Sequence, residues 1–118
     1  MIVDDSPSVR HLTSKVIKNA GWEVLTAKDG LEAFETLQAE TLPDVVLTDV
    51  EMPRMDGYEL LASIRNHGAL QNLPVIMITS RASEKHQQKA IELGVSDYLT
   101  KPFDDSLLIE KIKILANF

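Results

Sequence analysis

At 118 residues the chain has room for one hydrophobic core and not for two, and an apolar content of 44% is ordinary for a globular domain. A formal net charge of −6 speaks against the basic surface that nucleic-acid binding normally needs, and the lack of cysteine excludes disulfides and thiolate metal sites. The apolar runs are far too short to cross a bilayer and the start resembles no secretory signal, so no membrane partner is expected and the cytosol is the default compartment.

The elements alternate regularly along the chain. A short apolar run, Met1-Ile2-Val3, stops on the pair Asp4-Asp5. Ser6-Pro7 then opens a helix, with a capping side chain followed by proline at the first helical position. Val9, Leu12, Val16 and Ala20 recur at helical spacing until Gly21 ends it. Residues 22–27 read as a strand with polar residues mixed in. Asp29-Gly30 opens a second helix with Leu31, Phe34 and Leu37 on one face. Pro43 breaks the chain before Val45-Val46-Leu47-Thr48-Asp49, and Gly57 leads into a third helix carrying Leu60, Leu61 and Ile64. Pro74 precedes Val75-Ile76-Met77-Ile78, the continuous β-branched-rich run of a strand buried on both faces. A fourth helix is predicted over residues 83–93, ending at Gly94, and a fifth strand over 96–100. The last helix sets Leu108, Ile112 and Leu115 on one face.

Five strands alternating with five helices over short loops predict an α/β fold with a parallel sheet covered on both sides. Right-handed crossovers make it doubly wound. The most uniformly apolar runs, 45–47 and 75–78, belong in the centre, while Glu23, Thr26, Ser96 and Asp97 suit edges. The strand order 2-1-3-4-5 satisfies both, giving a flavodoxin-like sheet whose ligands bind where strands 1 and 3 diverge. Those two strands end on Asp4, Asp5 and Asp49. The first strand is short against the usual five or six residues. Residues 1–118 therefore read as a single domain trimmed at its N-terminus or excised from a longer chain.

Two apolar strands that both stop on carboxylates are costly unless the charges share a cation or a ligand. Taken singly, Asp4 or Asp5 is a helix cap and Asp49 a loop acid. Converging at one switch point, they form a hard oxygen site suited to Mg²⁺. Thr79 follows the fourth strand and Lys101 the fifth, which places a hydroxyl donor and a point charge for an anion at the same sheet edge. Lys101 precedes Pro102, a bond type that admits the cis form and would then fix the direction of the lysine.

With these residues on one edge, the chain resembles the receiver domains of two-component response regulators, over its whole length. The resemblance rests on Asp4-Asp5 after strand 1, Asp49 with Met52-Pro53 and Asp56-Gly57, Thr79-Ser80 after strand 4 and Lys101-Pro102-Phe103 after strand 5. It implies that Asp49 accepts a phosphoryl group from a phosphohistidine on a kinase or phosphotransfer partner. It implies Mg²⁺ held by Asp5, Asp49 and the backbone carbonyl of Glu51, with Asp4 acting through water, while Thr79 and Lys101 contact the phosphoryl oxygens. Phosphoryl transfer needs positioning and charge neutralisation more than covalent machinery, which suits this residue set. Tyr98 matches the family's switch aromatic, paired with Thr79, and the face of helix 4, strand 5 and helix 5 is where the family meets downstream proteins. Glu51 and Arg81 flank the approach to the acceptor and, by the same resemblance, tune how fast water removes the phosphoryl group.

A narrower resemblance joins Asp4-Asp5-Ser6 with Val9-Arg10, and Thr79-Ser80-Arg81 with Lys85-His86. It is to the C-terminal receiver of hybrid chemotaxis-type histidine kinases, including those similar to regulators of pilus motility. In such a kinase the receiver would act as a phosphate sink or relay. His11, His67 and His86 lack metal-ligand spacing and read as solvated. Arg81, Lys85, Lys89 and Lys101 make the region of helix 4 and strand 5 locally basic.

Other function classes meet specific objections. A Mg²⁺-dependent phosphatase with an aspartate nucleophile resembles Asp-x-Asp-x-Thr, whereas Asp49-Val50-Glu51 lacks the second aspartate. A receiver that binds partners without phosphorylation would not need the full acidic, hydroxyl and lysine set. A flavin-binding reading lacks a Ser/Thr- and Gly-rich phosphate loop after strand 1. The expectation is therefore a signalling phosphoacceptor rather than an enzyme.

Overall fold

The computed structural model describes residues 1–39, 42–80 and 83–118. Its five strands are β1 (Ile2–Val3), β2 (Thr26–Ala27), β3 (Val46–Asp49), β4 (Val75–Thr79) and β5 (Asp97–Thr100). They form one sheet in the order β2-β1-β3-β4-β5, and every neighbouring pair is parallel. The helices between them are α1 (Pro7–Asn19), α2 (Gly30–Ala39), α3 (Gly57–Arg65), α4 (Glu84–Glu92) and α5 (Asp105–Ala116). The predicted fold class and strand order are both borne out.

The period-two alternation of the strands sorts the core into two halves. Val46, Val75 and Met77 join Ala33, Leu37, Leu60, Leu61, Ile64 and Ala90 on the side covered by α2, α3 and α4. Leu47, Ile76 and Ile78 join Ile17, Leu108 and Ile112 on the side of α1 and α5. All five residues of β4 are buried, as the continuous apolar run requires of a central strand. Each fully buried aliphatic side chain contributes about 1.5–3 kcal/mol relative to leaving it in water.

Two local expectations are corrected. The second strand, expected over 22–27, forms ladder pairs only at Thr26–Ala27, because its partner β1 is itself two residues long. Trp22 and Val24 still pack against the α1/α5 half of the core. In α1 the stripe Val9, Leu12, Val16 and Ala20 is not the buried face: Val9 and Val16 are only half-buried, and Leu12 and Ala20 are exposed. Ser14 and Ile17 are the buried positions, whereas Leu12 is 63% exposed. The helix is rotated by about one residue from the stripe, and Ile17 takes the central contact.

Helix starts follow local capping chemistry. Ser6 accepts from the Val9 backbone N–H with Pro7 at the first turn of α1. Asp56 and Glu59 form a reciprocal capping box at α3, and Ser83 accepts from the His86 N–H at α4. These caps set where each helix leaves the carboxyl edge of the sheet, and so where the connecting loops lie.

Candidate functional site

Asp4 ends β1, buried to 6% exposure, and its Oδ1 accepts the Ser6 N–H at 2.9 Å. Its backbone carbonyl accepts from the Arg10 guanidinium at 2.7 Å. Asp5 follows it, exposed. Asp49 closes β3, half-buried, and its Oδ1 accepts the Val50 N–H at 2.8 Å. The next strand over places Ile78 beside Asp49, and Thr79 beside Thr100 of β5. Thr79 is buried, and its carbonyl accepts the Lys101 N–H at 2.8 Å. The sheet register thus brings Asp4, Asp5, Asp49, Thr79 and Lys101 to one edge, as the sequence predicts.

The three carboxylates converge. Asp4, Asp5 and Asp49 each offer an oxygen within 4.8 Å of the others. Carboxylates this close repel one another unless a cation is shared, and Asp5 and Asp49 would hold such an ion with Asp4 acting through a water. The donors are hard anionic oxygens, the type Mg²⁺ selects. The residues present fit a divalent cation of this class.

Burial pushes the Asp49 carboxyl above its ordinary range. The nearby Lys101 charge and the Val50 N–H pull it back, and Asp4 and Asp5 push it up again. A carboxylate in this setting gains from any added cation. A cleft of about 330 Å³ opens beside it, edged by Asp4, Leu12, Ile78, Lys101 and Phe103. The Lys101–Pro102 peptide bond is cis.

The remaining predicted residues are spread more widely. The Glu51 side chain is exposed and is not among the converging acids, and the family resemblance assigns its backbone carbonyl, not the side chain, to the metal. It borders a separate groove with Asp56, Tyr58, Lys85, His86 and Lys89. Tyr98, half-buried on β5, sits beside Met77 of β4 and packs against the core under α3 and α4. Arg81 lies outside the described residues. Lys89 contributes to the local basic surface by stacking its ammonium 4.4 Å above the Tyr58 ring. His67 is half-buried rather than freely solvated: its ring meets Phe34 edge-on, and its buried Nδ1 has no hydrogen-bond partner among the described residues.

Sequence reasoning missed a further pair. Asp29, 2% exposed, accepts two bonds from the Arg54 guanidinium, at 2.8 Å and 3.1 Å. Asp29 was legible only as the opening of α2, which it caps through the Glu32 N–H at 2.9 Å. Arg54, in the loop behind Asp49, carries no local pattern that announces a partner 25 positions away.

Residues 1–113 match the response regulator receiver domain. The chain belongs to that family. Protein PilG of Pseudomonas aeruginosa is 38% identical to this receiver over 113 residues, covering 96% of the chain and 83% of PilG. The sensor histidine kinase CheAY of Helicobacter pylori is 36% identical over 114 residues, covering 96% of the chain. The receiver spans only 14% of CheAY's length. The crystal structure of a putative response regulator from Chloroflexus aurantiacus superposes with a TM-score of 0.92 at 34% identity, covering 99% of this receiver and 95% of that protein. Among the described residues no helix is long and apolar enough to cross a membrane.

Proposed function

We propose that this receiver takes a phosphoryl group from the phosphohistidine of a kinase or phosphotransfer partner onto Asp49, in chemotaxis-type or pilus-motility-type signalling. The observation that carries the reading is the convergence of Asp4, Asp5 and Asp49 at the ends of β1 and β3, with the Lys101 charge acting on Asp49. In the transfer, an Asp49 carboxylate oxygen bonds to phosphorus as the phosphorus–nitrogen bond to the donor imidazole breaks, and the leaving imidazole takes up a proton. Asp5, Asp49 and the Glu51 carbonyl would hold Mg²⁺, with Asp4 behind a water. The ion, when bound, offsets the negative charge that three phosphoryl oxygens bring to an acidic edge.

This chain's own groups do the rest. Lys101 supplies a second positive charge to the transferred group. Thr79, at the end of β4, offers its hydroxyl to a phosphoryl oxygen. The cleft edged by Leu12 and Phe103 gives the donor ring an apolar side from which to approach Asp49. New acceptor oxygens on Asp49 would draw Thr79 toward it and let Tyr98 move further inward, altering the face of α4, β5 and α5 that a downstream protein reads. These elements carry the exposed Ile91 on α4, the exposed Leu107 on α5 and the Lys111–Asp97 ion pair at 2.7 Å. The similarity to a 14% segment of CheAY supports a second setting, a receiver within a hybrid kinase acting as a sink or relay.

Incubation with acetyl phosphate and Mg²⁺, read by intact mass, tests the reading. A single phosphoryl adduct that vanishes in Asp49→Asn is expected. Continuous phosphate release from added monoesters without an adduct would favour the phosphatase class, and no reaction would favour a module that binds partners unphosphorylated.

A further inference from the structure

The loop 50–56 behind Asp49 is fixed at several points. Gly57 N–H donates to the Val50 carbonyl at 2.8 Å, closing the loop at its base. At its far side, Gly30 N–H donates to the Met55 carbonyl at 3.0 Å. A Cβ at Gly30 would lie 2.5 Å from that carbonyl oxygen, so glycine is what permits the approach of α2 to the loop. Between these points stands Arg54, with φ of 66° in the left-handed region that a side chain rarely adopts. A backbone held there needs a local restraint, and Arg54 has one: both oxygens of the buried Asp29 receive its fork.

We propose that the Asp29–Arg54 pair is a positioning clamp that presets the 50–56 loop for metal binding, with Arg54 acting as a positioning residue. The proposal rests on the receiver reading, since the loop matters to the ion through the Glu51 carbonyl. Arg54 is three residues from Glu51 in the same loop, and neither Asp29 nor Arg54 belongs to the converging acids. Their influence on the ion therefore runs through loop geometry. The clamp also joins the β2–α2 connection to the β3–α3 connection, so the loop is held by a buried carboxylate that follows a different strand.

At Arg54 geometry and simple charge predict opposite signs, which makes the clamp testable. Removing the Arg54 charge makes the site more negative and, through long-range electrostatics, would tighten Mg²⁺ binding. Removing the Asp29 charge would loosen it. The clamp predicts that both loosen it. Asp29→Asn keeps an oxygen to cap α2 through the Glu32 N–H, which separates the clamp from the cap. Arg54→Lys keeps the charge and loses the fork.

The experiment is calorimetric Mg²⁺ titration of wild type, Arg54→Ala, Arg54→Lys, Asp29→Asn and the double variant Asp29→Asn/Arg54→Ala, with thermal melts in the absence of metal. Arg54→Ala and Asp29→Asn should each raise the Mg²⁺ dissociation constant about tenfold or more, the scale of losing a group that orients a metal ligand. Arg54→Lys should fall between them and wild type, and the double variant should be no worse than either single one. Variants that melt lower yet bind Mg²⁺ as tightly as wild type, or a tighter Arg54→Ala, would overturn the clamp and leave the receiver reading standing. A wild type that binds no Mg²⁺ would overturn both.

Discussion

Asp49 combines burial with two neighbouring acids, and its raised carboxyl pKa states the cost: the folded chain holds the proton more tightly than the unfolded one. Stability associated with that proton is complete below the ordinary carboxylate range and is lost as pH rises through the raised value. Asp49→Asn, which carries no charge at any pH, should therefore melt higher than wild type at pH 7 without metal, with the gap closing toward pH 3. A lower melting temperature for Asp49→Asn at pH 7 would contradict this account. The other two acids differ in setting. Asp4 is buried with one oxygen committed to the Ser6 N–H, whereas Asp5 is exposed and open to direct ligation. Asp5→Ala should weaken Mg²⁺ binding more than Asp4→Ala in calorimetry, and equal losses would count against a direct role for Asp5 alone. Asp29 shows the reverse electrostatics. Its bonds to Arg54 hold its carboxyl below the ordinary range against the opposing push of burial. That stabilisation is present above the unfolded carboxylate pKa and is lost as pH falls through the depressed value. In Arg54→Ala the buried carboxyl loses its partner, so acid unfolding followed by circular dichroism should begin at a higher pH than in wild type.

The elements show how far residue order alone reaches. Four of the five residues of β4 were legible, because the continuous apolar run Val75–Ile78 after Pro74 reads as a strand covered on both faces, whereas the polar Thr79, also buried in the strand, was read as following it. The site edge was legible for a related reason: Asp4, Asp5, Asp49 and Thr79 come at the ends of apolar runs and Lys101 at the end of the fifth strand, and parallel strands put such ends together. The inner face of α1 was not. Its apolar residues outnumber the places at the sheet, and periodicity cannot choose between a stripe through Leu12 and one through Ile17. The helix's tilt on the sheet decides, and that is a tertiary quantity. Ile17→Ala should cost about 2–5 kcal/mol in denaturant unfolding, the range for deleting a buried aliphatic side chain. Leu12→Ala should stay within about 0.5 kcal/mol, as exposed substitutions do. Comparable losses at the two positions would restore the stripe read from the sequence. The Asp29–Arg54 pair escaped for a related reason: its partners lie on different loops, and only the sheet brings those loops together.

On the scale of the whole molecule, the proposed phosphoryl group on Asp49 would have to act on a surface on the far side of β4. The sheet supplies a short route. Asp49 lies beside Ile78, Thr79 beside Thr100, and Met77 beside Tyr98, so a shift of Thr79 toward Asp49 acts on the β4–β5 ladder that also carries Tyr98. The Tyr98 ring is half-buried against the core under α3 and α4, at the margin between core and surface. The core around β4 is fully packed and resists continuous deformation, which favours discrete displacement at its half-buried margin. Phosphorylation should therefore change amide chemical shifts first around Asp49, Thr79 and Lys101 and then along β5, α4 and the start of α5. Tyr98→Ala should leave the adduct intact and reduce the shifts on α4 and α5. Changes confined to the loop after Asp49, with β5 and α4 silent, would show that the phosphoryl group is read where it sits and that Tyr98 carries no signal.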